Sequence, residues 1–293
     1  MVLLTGVTGL SGRAIAQEFV RQGSPLRALT RSMEKASRTG LDKFNDIDLI
    51  EGDMRVPETL GAALEGVDRV LMISSGAMDM LETECSFIDS CKRAGVRHII
   101  KFSGAESGIG FDPTKFRFTR MHEEIERYLA SSGLAWTNLR PSQFMQVYLR
   151  EVPTIIAHGA IYLPFQNIRL SPVDVEDIAK VAYRLLWHGE HEGENLEMTG
   201  PEALSMADIA ERISQVLGRT IRYVDITPEE RRSMLLAKGI SSDFADALDE
   251  QVAERRKRPE SKVNLKTHEI FGVEPTNFSS FAQRHAAVFR GQA

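Results

Sequence analysis

The most restrictive feature of this chain lies in its first dozen residues. Met1-Val2-Leu3-Leu4-Thr5 runs directly into Gly6-Val7-Thr8-Gly9-Leu10-Ser11-Gly12 and then into an amphipathic stretch. Three glycines at that spacing carry weight only in this setting, after an apolar strand and at the opening of a helix. Gly6 permits a tight turn, Gly9 lets the backbone approach a pyrophosphate, and Gly12 allows close helix–sheet contact. The helix start adds free N–H groups and a positive dipole end, both suited to phosphate. Thr8, Leu10 and Ser11 share the loop and join the three glycines as candidate dinucleotide contacts. A glycine-rich turn with no ligand is the competing reading.

Beyond the loop, short β-type runs alternate with amphipathic stretches, the pattern of a parallel sheet covered on both faces. Strands are expected at Val2–Thr5, Leu26–Thr30, Ile47–Glu51, Arg69–Ile73, His98–Phe102, Trp136–Leu139 and Leu196–Thr199. Helices are expected at Ser11–Gln22, Glu58–Leu64, Met80–Ala94, Lys115–Ser131 and Val175–His188. The fold class is therefore α/β, a doubly wound parallel-sheet Rossmann domain with a smaller, mainly helical C-terminal lobe. Residues 1–150 form the nucleotide-binding part. Residues 151–293 add a late strand and helix to the sheet at about 173–200, and then the lobe. Within the lobe Ser205-Met-Ala-Asp208 and Thr227-Pro-Glu-Glu230 read as helix-opening capping boxes, and Asp243–Arg258 as a long charged helix.

The net charge of −5 and pI near 5.9 argue against a nucleic-acid or membrane-surface protein. The dense basic run Arg255-Arg256-Lys257-Arg258 follows the acidic stretch Asp243–Glu254 and reads as a solvated helix end. No apolar run is long enough to span a bilayer, and with the first strand beginning at Met1 there is no room for a leader, so a cytoplasmic location is expected. Cys85 and Cys91 fall on different faces of one helix and read as packing residues. They form no metal-binding pattern.

The second strand bears on the choice of cofactor. An NAD site places Asp or Glu at its end to hold the ribose 2′-hydroxyl. Here the sequence is Leu26-Arg-Ala-Leu-Thr-Arg31-Ser32, with Lys35 one turn on. A guanidinium suits a 2′-phosphate, so NADP(H) is favoured over NAD(H), the alternative being a solvated basic corner. Asp53, in Glu51-Gly-Asp-Met54, is placed to accept from an adenine amino group, with Met54 beside it. Ser74, Ser75 and Gly76 end the fourth strand along the expected cofactor path, unless they are simple turn residues.

These residues together resemble the NmrA-like family of atypical short-chain dehydrogenases/reductases. The likeness continues through Val96–Ser103, Ser132–Met145, Val173–Ala179 and Glu269–Phe278. Within the family the chain is most similar to small NAD(P)H-dependent quinone or triphenylmethane-dye reductases. The resemblance implies a nicotinamide bound between the Rossmann domain and the lobe, flanked by Ser103, Pro141 and Phe144. It leaves two functions open: an oxidoreductase, or a non-catalytic NADP(H)-sensing regulator that binds a protein partner.

The usual proton relay of short-chain dehydrogenases, a Tyr with Lys four residues on, is absent. None of Tyr128, Tyr148, Tyr162, Tyr183 or Tyr223 has that neighbour. The resemblance places His122 at the catalytic corner, either as proton donor or as hydrogen-bond donor to a substrate carbonyl, unless it is a partly buried histidine serving a local bond. Glu126, one turn on, is positioned to orient it or to lie at the surface. Phe144, Met145 and Tyr148 are candidates for an apolar substrate wall, or for core. The expected acceptor is a quinone, dye or other small aromatic or conjugated carbonyl compound, for which the cofactor carries the hard chemistry.

Overall fold

The computed structural model describes residues 1–104 and 110–292. Seven parallel strands form one sheet: β1 (Val2–Leu4), β2 (Leu26–Thr30), β3 (Ile47–Glu51), β4 (Arg69–Met72), β5 (His98–Phe102), β6 (Ala135–Pro141) and β9 (Glu194–Met198). Their spatial order is β3-β2-β1-β4-β5-β6-β9, so the chain reverses direction across the sheet between β1 and β4. That point is where open parallel sheets bind ligands, outside the carboxyl ends of the strands. Thr5 stitches it together. Its hydroxyl donates to the Ile73 carbonyl and accepts from the Ile73 N–H, each at 2.7 Å.

Side chains alternate across the sheet, so adjacent apolar residues serve opposite faces. Leu4, Leu71 and Ile100 join a core with Ile15 and Phe19 of α1 (Leu10–Arg21) and Ile178 and Leu186 of α7 (Val175–His188). Leu3, Val70 and Ile99 pack instead with Phe87 of α4 (Met80–Arg93) and Ile125 of α5 (Arg117–Ser131). Short helices α2 (Met33–Arg38) and α3 (Gly61–Leu64) complete the cover, and α2 begins where Ser32 accepts from the Lys35 N–H. The single helix expected over Glu58–Leu64 is divided. A 3₁₀ turn over Pro57–Thr59 is closed by Leu60 N–H donating to the Pro57 carbonyl, and α3 follows it.

The later part of the chain has a second core, built from Tyr148, Ile161, Phe165, Ile209, Phe278 and Phe281 among others. It contains α6 (Val152–His158), α8 (Met206–Leu217), α9 (Pro228–Ala237), α10 (Ser242–Lys257) and α12 (Phe278–Arg284), with the short α11 (Lys266–Ile270) and α13 (Ala286–Phe289). Both capping boxes form, at Ser205 of α8 and Thr227 of α9. The region is less purely helical than its sequence suggests. Strand β7 (Ala160–Leu163) pairs in parallel with β11 (Arg222–Asp225), and the two-residue strands β8 (Arg169–Leu170) and β10 (Leu204–Ser205) pair antiparallel. A two-strand parallel pairing across some sixty residues leaves no local sequence signal. Among the described residues no helix is long and apolar enough to cross a membrane.

One buried carboxylate joins the two cores. Asp174 is fully buried, caps α7 by accepting from the Glu176 N–H, accepts from Gln146 and pairs with Arg284 of α12. Asp174→Ala removes a helix cap and leaves these donors without an acceptor. It is expected to lower the unfolding free energy by about 2–3 kcal/mol in urea denaturation. A change under about 0.5 kcal/mol would show that the junction does not depend on it.

Candidate functional site

The glycine loop is held by contacts that leave no room for side chains. Gly6 has φ +63°, and a Cβ there would lie 2.8 Å from the Ile73 carbonyl oxygen. At Gly12 a Cβ would lie 2.2 Å from the Gly6 oxygen, so the first turn of α1 rests directly on the loop backbone. The first intrahelical bond runs from the Arg13 N–H to the Gly9 carbonyl. The N–H groups of Leu10, Ser11 and Gly12 therefore have no acceptor within the helix. No side chain caps them. This is a cradle for a phosphate, with half-exposed Thr8 and exposed Leu10 at its rim.

Arg31 follows β2 and is exposed, with no ion pair or hydrogen bond among the described residues; Lys35 lies on α2 nearby. Asp53 is engaged more than its sequence suggests. Its carboxylate accepts from the Arg55 backbone at 3.0 Å and from the Arg55 guanidinium at 2.7 Å. These bonds from Arg55, with a weaker contribution from Arg31, hold the Asp53 carboxyl below its ordinary range. Met54 does not face the groove with its side chain, which is buried with Leu29 and Leu60 in the sheet core. Ser75 and Gly76 are exposed after β4.

Beyond them a cavity of about 930 Å³ opens at the carboxyl ends of β4, β5 and β6. Ser74, Gly76, Ser103, Gly104, Pro141 and Phe144 line it on the sheet side. Phe165 and Val252 of the second core, with Leu235 of α9 and Phe244 of α10, line the other. Of the three residues expected to form an apolar wall, Phe144 and Tyr148 line the cavity. Met145 does not; it is buried in the second core, because the extended backbone at Phe144 sends the next side chain the other way.

The sequence reading missed the pair that organises the polar end of this cavity. Lys101 on β5 is completely buried and donates to Glu84 of α4, itself 1% exposed, at 2.6 Å. The other Glu84 oxygen accepts from the Ser74 hydroxyl. Lys101 lies 3.2 Å from Nδ1 of His122. An ammonium can only donate, so Nδ1 is the acceptor and the imidazole proton resides on Nε2. That nitrogen stands at the cavity wall beside Gly104, where an added Cβ would come within 3.0 Å of it. Burial first, and the Lys101 charge second, hold His122 well below the ordinary imidazole range. His122 is thus a neutral N–H donor facing the cavity rather than an acid carrying a spare proton. The available signal was Lys101 itself, an ammonium inside the apolar run of a central strand.

Glu126 does not orient His122. It accepts from the Ser103 hydroxyl at 2.6 Å and pairs with Arg140 of β6 through both oxygens. The side chains of Arg140 and Ser103 outcompete the imidazole one turn away because a guanidinium fork matches a carboxylate bidentately. The basic run at the end of α10 is not the wholly solvated helix end that its sequence suggests. Arg255 is 2% exposed and lines the cavity instead of facing solvent. The two cysteines lie on α4, and burial pushes both thiols up, Cys85 to about 11, so neither is a ready nucleophile.

Strand order, glycine loop and a cleft at the carboxyl ends of the strands define the class: a doubly wound α/β protein of the Rossmann type. The NmrA-like family model matches residues 1–282, and the chain belongs to that family. An NAD(P)H azoreductase of Xenophilus azovorans is 32% identical over 290 residues, covering 99% of each chain. Among solved structures, an NADPH-dependent quinone oxidoreductase from Escherichia coli, complexed with NADPH, superposes with a TM-score of 0.83 at 23% identity, over 97% of this chain and 99% of the other. NmrA, a negative transcriptional regulator in complex with NADP, superposes with a TM-score of 0.80 at 16% identity, over 99% and 96%.

The site yields a paired test. Lys101→Met strands the Glu84 carboxylate in a buried setting and is expected to cost about 3–5 kcal/mol in urea unfolding, whereas adding Glu84→Leu recovers most of that loss. In the double variant, nitrogen NMR of His122 should show its titration midpoint rising. An unchanged midpoint would remove Lys101 from control of the imidazole. A native histidine kept neutral also makes stability fall with acid. Below about pH 6.5 the unfolded chain takes up a proton that native His122 refuses. The same sign holds for His98, His268 and His285, which burial also lowers.

Proposed function

We propose that this protein is an NADPH-dependent oxidoreductase that reduces a quinone, dye or other conjugated carbonyl acceptor. The observation that carries the proposal is the juxtaposition of a large apolar cavity, opening where the nicotinamide of a Rossmann protein lies, with the Nε2–H of neutral His122 in its wall. The azoreductase relative supports the same class of reaction.

The residues fit the cofactor. Backbone N–H groups at Leu10, Ser11 and Gly12 would hold the pyrophosphate, Arg31 and Lys35 the 2′-phosphate, and Ser74–Gly76 with Ser103, Pro141 and Phe144 would flank the nicotinamide. When bound, NADPH supplies a hydride. A conjugated carbonyl acceptor reduced in this cavity would gather negative charge on its carbonyl oxygen. The His122 Nε2–H donates a hydrogen bond to that oxygen, in the manner of an oxyanion hole. Because His122 keeps its own proton, the proton that completes the reduced product comes from solvent. The phenyl ring of Phe144 and the lobe side chains exclude water from the transfer.

The alternative, an NADP(H) sensor that docks a protein partner, has less support. Nucleotide sensing without turnover makes no use of an apolar cavity of about 930 Å³ beside the nicotinamide position. The decisive measurement is loss of nicotinamide absorbance with purified protein and a panel of small quinones. Cofactor binding without turnover of any acceptor would favour the sensor. His122→Phe is expected to lower kcat for a quinone about 10- to 100-fold with little change in NADP affinity. Arg31→Ala is expected to raise KM for NADPH about 10- to 100-fold and to leave KM for NADH nearly unchanged. An equal effect on the two nucleotides would remove Arg31 from 2′-phosphate recognition.

A further inference from the structure

Arg255 stands in the last turn of α10, with its guanidinium inside the cavity wall near Tyr148 and against the face of Phe111, 5.2 Å from the ring centroid. Its charged neighbours all have partners. Glu254 accepts from Lys257, Arg258 and the Asp112 N–H, and Arg256 donates to the Pro164 carbonyl. The carboxylates of the surrounding lobe are also committed: Glu151 to Arg231, Asp249 to Arg232 and Glu250 to Arg117. Arg255 has none of them. Its Nε and Nη1 are sealed from solvent and have no hydrogen-bond partner among the described residues.

A buried cation without a counterion is rare, because removing a charge from water is costly unless an opposite charge or good acceptors replace the solvent. Burial lowers Arg255 to about 10, which still leaves it a cation at neutral pH. The nearby Tyr148 hydroxyl, which accepts from Gln143, is pushed up by burial and supplies no negative charge. Arg231, another arginine in the cavity wall, shows the usual arrangement, being paired with Glu151 at 2.7 Å. Arg255 thus presents, in a mainly apolar chamber, a planar guanidinium fork whose Nε and Nη1 have no acceptor among the described residues.

We propose that Arg255 is the seat of an oxyanion carried by the acceptor: a carboxylate, sulfonate or phosphate attached to an aromatic or conjugated ring. The anion pairs with the guanidinium while the ring lies between the apolar walls of the cavity. The site therefore selects anionic acceptors over neutral ones of the same shape, and disfavours cationic ones. This rests on the reading of the cavity as the acceptor site.

The test uses ligands that cannot accept a hydride, so it does not depend on turnover. Calorimetry of the NADP-saturated protein would compare naphthalene-2-sulfonate with its neutral counterpart naphthalene-2-sulfonamide. Wild type should bind the sulfonate at least about 10-fold more tightly. Arg255→Met should abolish that preference without lowering Tm, since it removes an uncompensated buried charge, and Arg255→Lys should keep part of it. Equal binding of the two ligands by wild type, no sulfonate binding at all, or an equal loss of both in Arg255→Met would overturn the proposal. So would displacement of the sulfonate by inorganic sulfate at equal concentration, which would mark a free-anion site. Turnover of quinones with no preference for an anionic group sinks this inference alone. A preference in binding with no acceptor reduced sinks the reductase reading and leaves the anion seat standing.

Discussion

The ion pair between Lys101 and Glu84 is the contact on which the geometry of the site depends. Each partner is almost completely shielded from solvent, and each has a second bond that reaches a cavity residue: Glu84 takes the Ser74 hydroxyl and Lys101 meets His122. Four elements of the chain, the end of β4, α4, β5 and α5, are thereby held in one arrangement. A pair of apolar residues of similar volume would pack there as stably or better. What the ion pair adds is direction. By presenting only donors to Nδ1 it fixes the tautomer of His122, and so decides which imidazole nitrogen meets the cavity.

A second buried pair, Glu126 with Arg140, does the same on the neighbouring side. It joins α5 to β6 and fixes the Ser103 hydroxyl at the end of β5. The two pairs explain how a site with several ionisable groups keeps a definite charge state. Lys101 is balanced by Glu84 and Arg140 by Glu126, so neither adds net charge to the cavity.

What could be read from the sequence was local. The glycine loop is one turn with a steric requirement at Gly6 and Gly12, and a linear motif records it fully. The capping boxes at Ser205 and Thr227 are likewise four-residue devices. The apolar runs announced a sheet buried on both faces because each strand has to supply two cores. What escaped was set by distant partners. The start of α5 is capped by Glu250 from α10, and the partner of Glu126 lies on β6 rather than one turn along its own helix. Arg255 belonged by composition to a basic surface run, and only the folding of α10 over the cavity withdraws it from water. Helical spacing states which residues share a face, but not what the rest of the chain brings to that face.

The remaining uncompensated charges give the site its polarity. Arg31 at the nucleotide end and the nearly fully buried Arg255 in the cavity wall are two cations with no carboxylate partner among the described residues. Both lie where an anionic ligand group is required by the proposed chemistry, a 2′-phosphate in one case and a substituent of the acceptor in the other. The cavity between is mainly apolar and has a neutral imidazole in its wall. If the proposed cofactor supplied a hydride there, negative charge would grow on the acceptor. In a chamber of low polarity, a fixed cation in the wall and an N–H donor at the reacting end both favour that displacement, and neither has to reorganise as it occurs. A charged imidazole would add a second buried cation close to Lys101, and the protein avoids this by keeping His122 neutral. In the proposed reaction the acid–base demand would then fall on solvent. Under the proposed reading that demand suits an easily reduced quinone, whose product anion is stable enough to wait for its proton, and it is compatible with a chain in which no tyrosine has lysine four residues on.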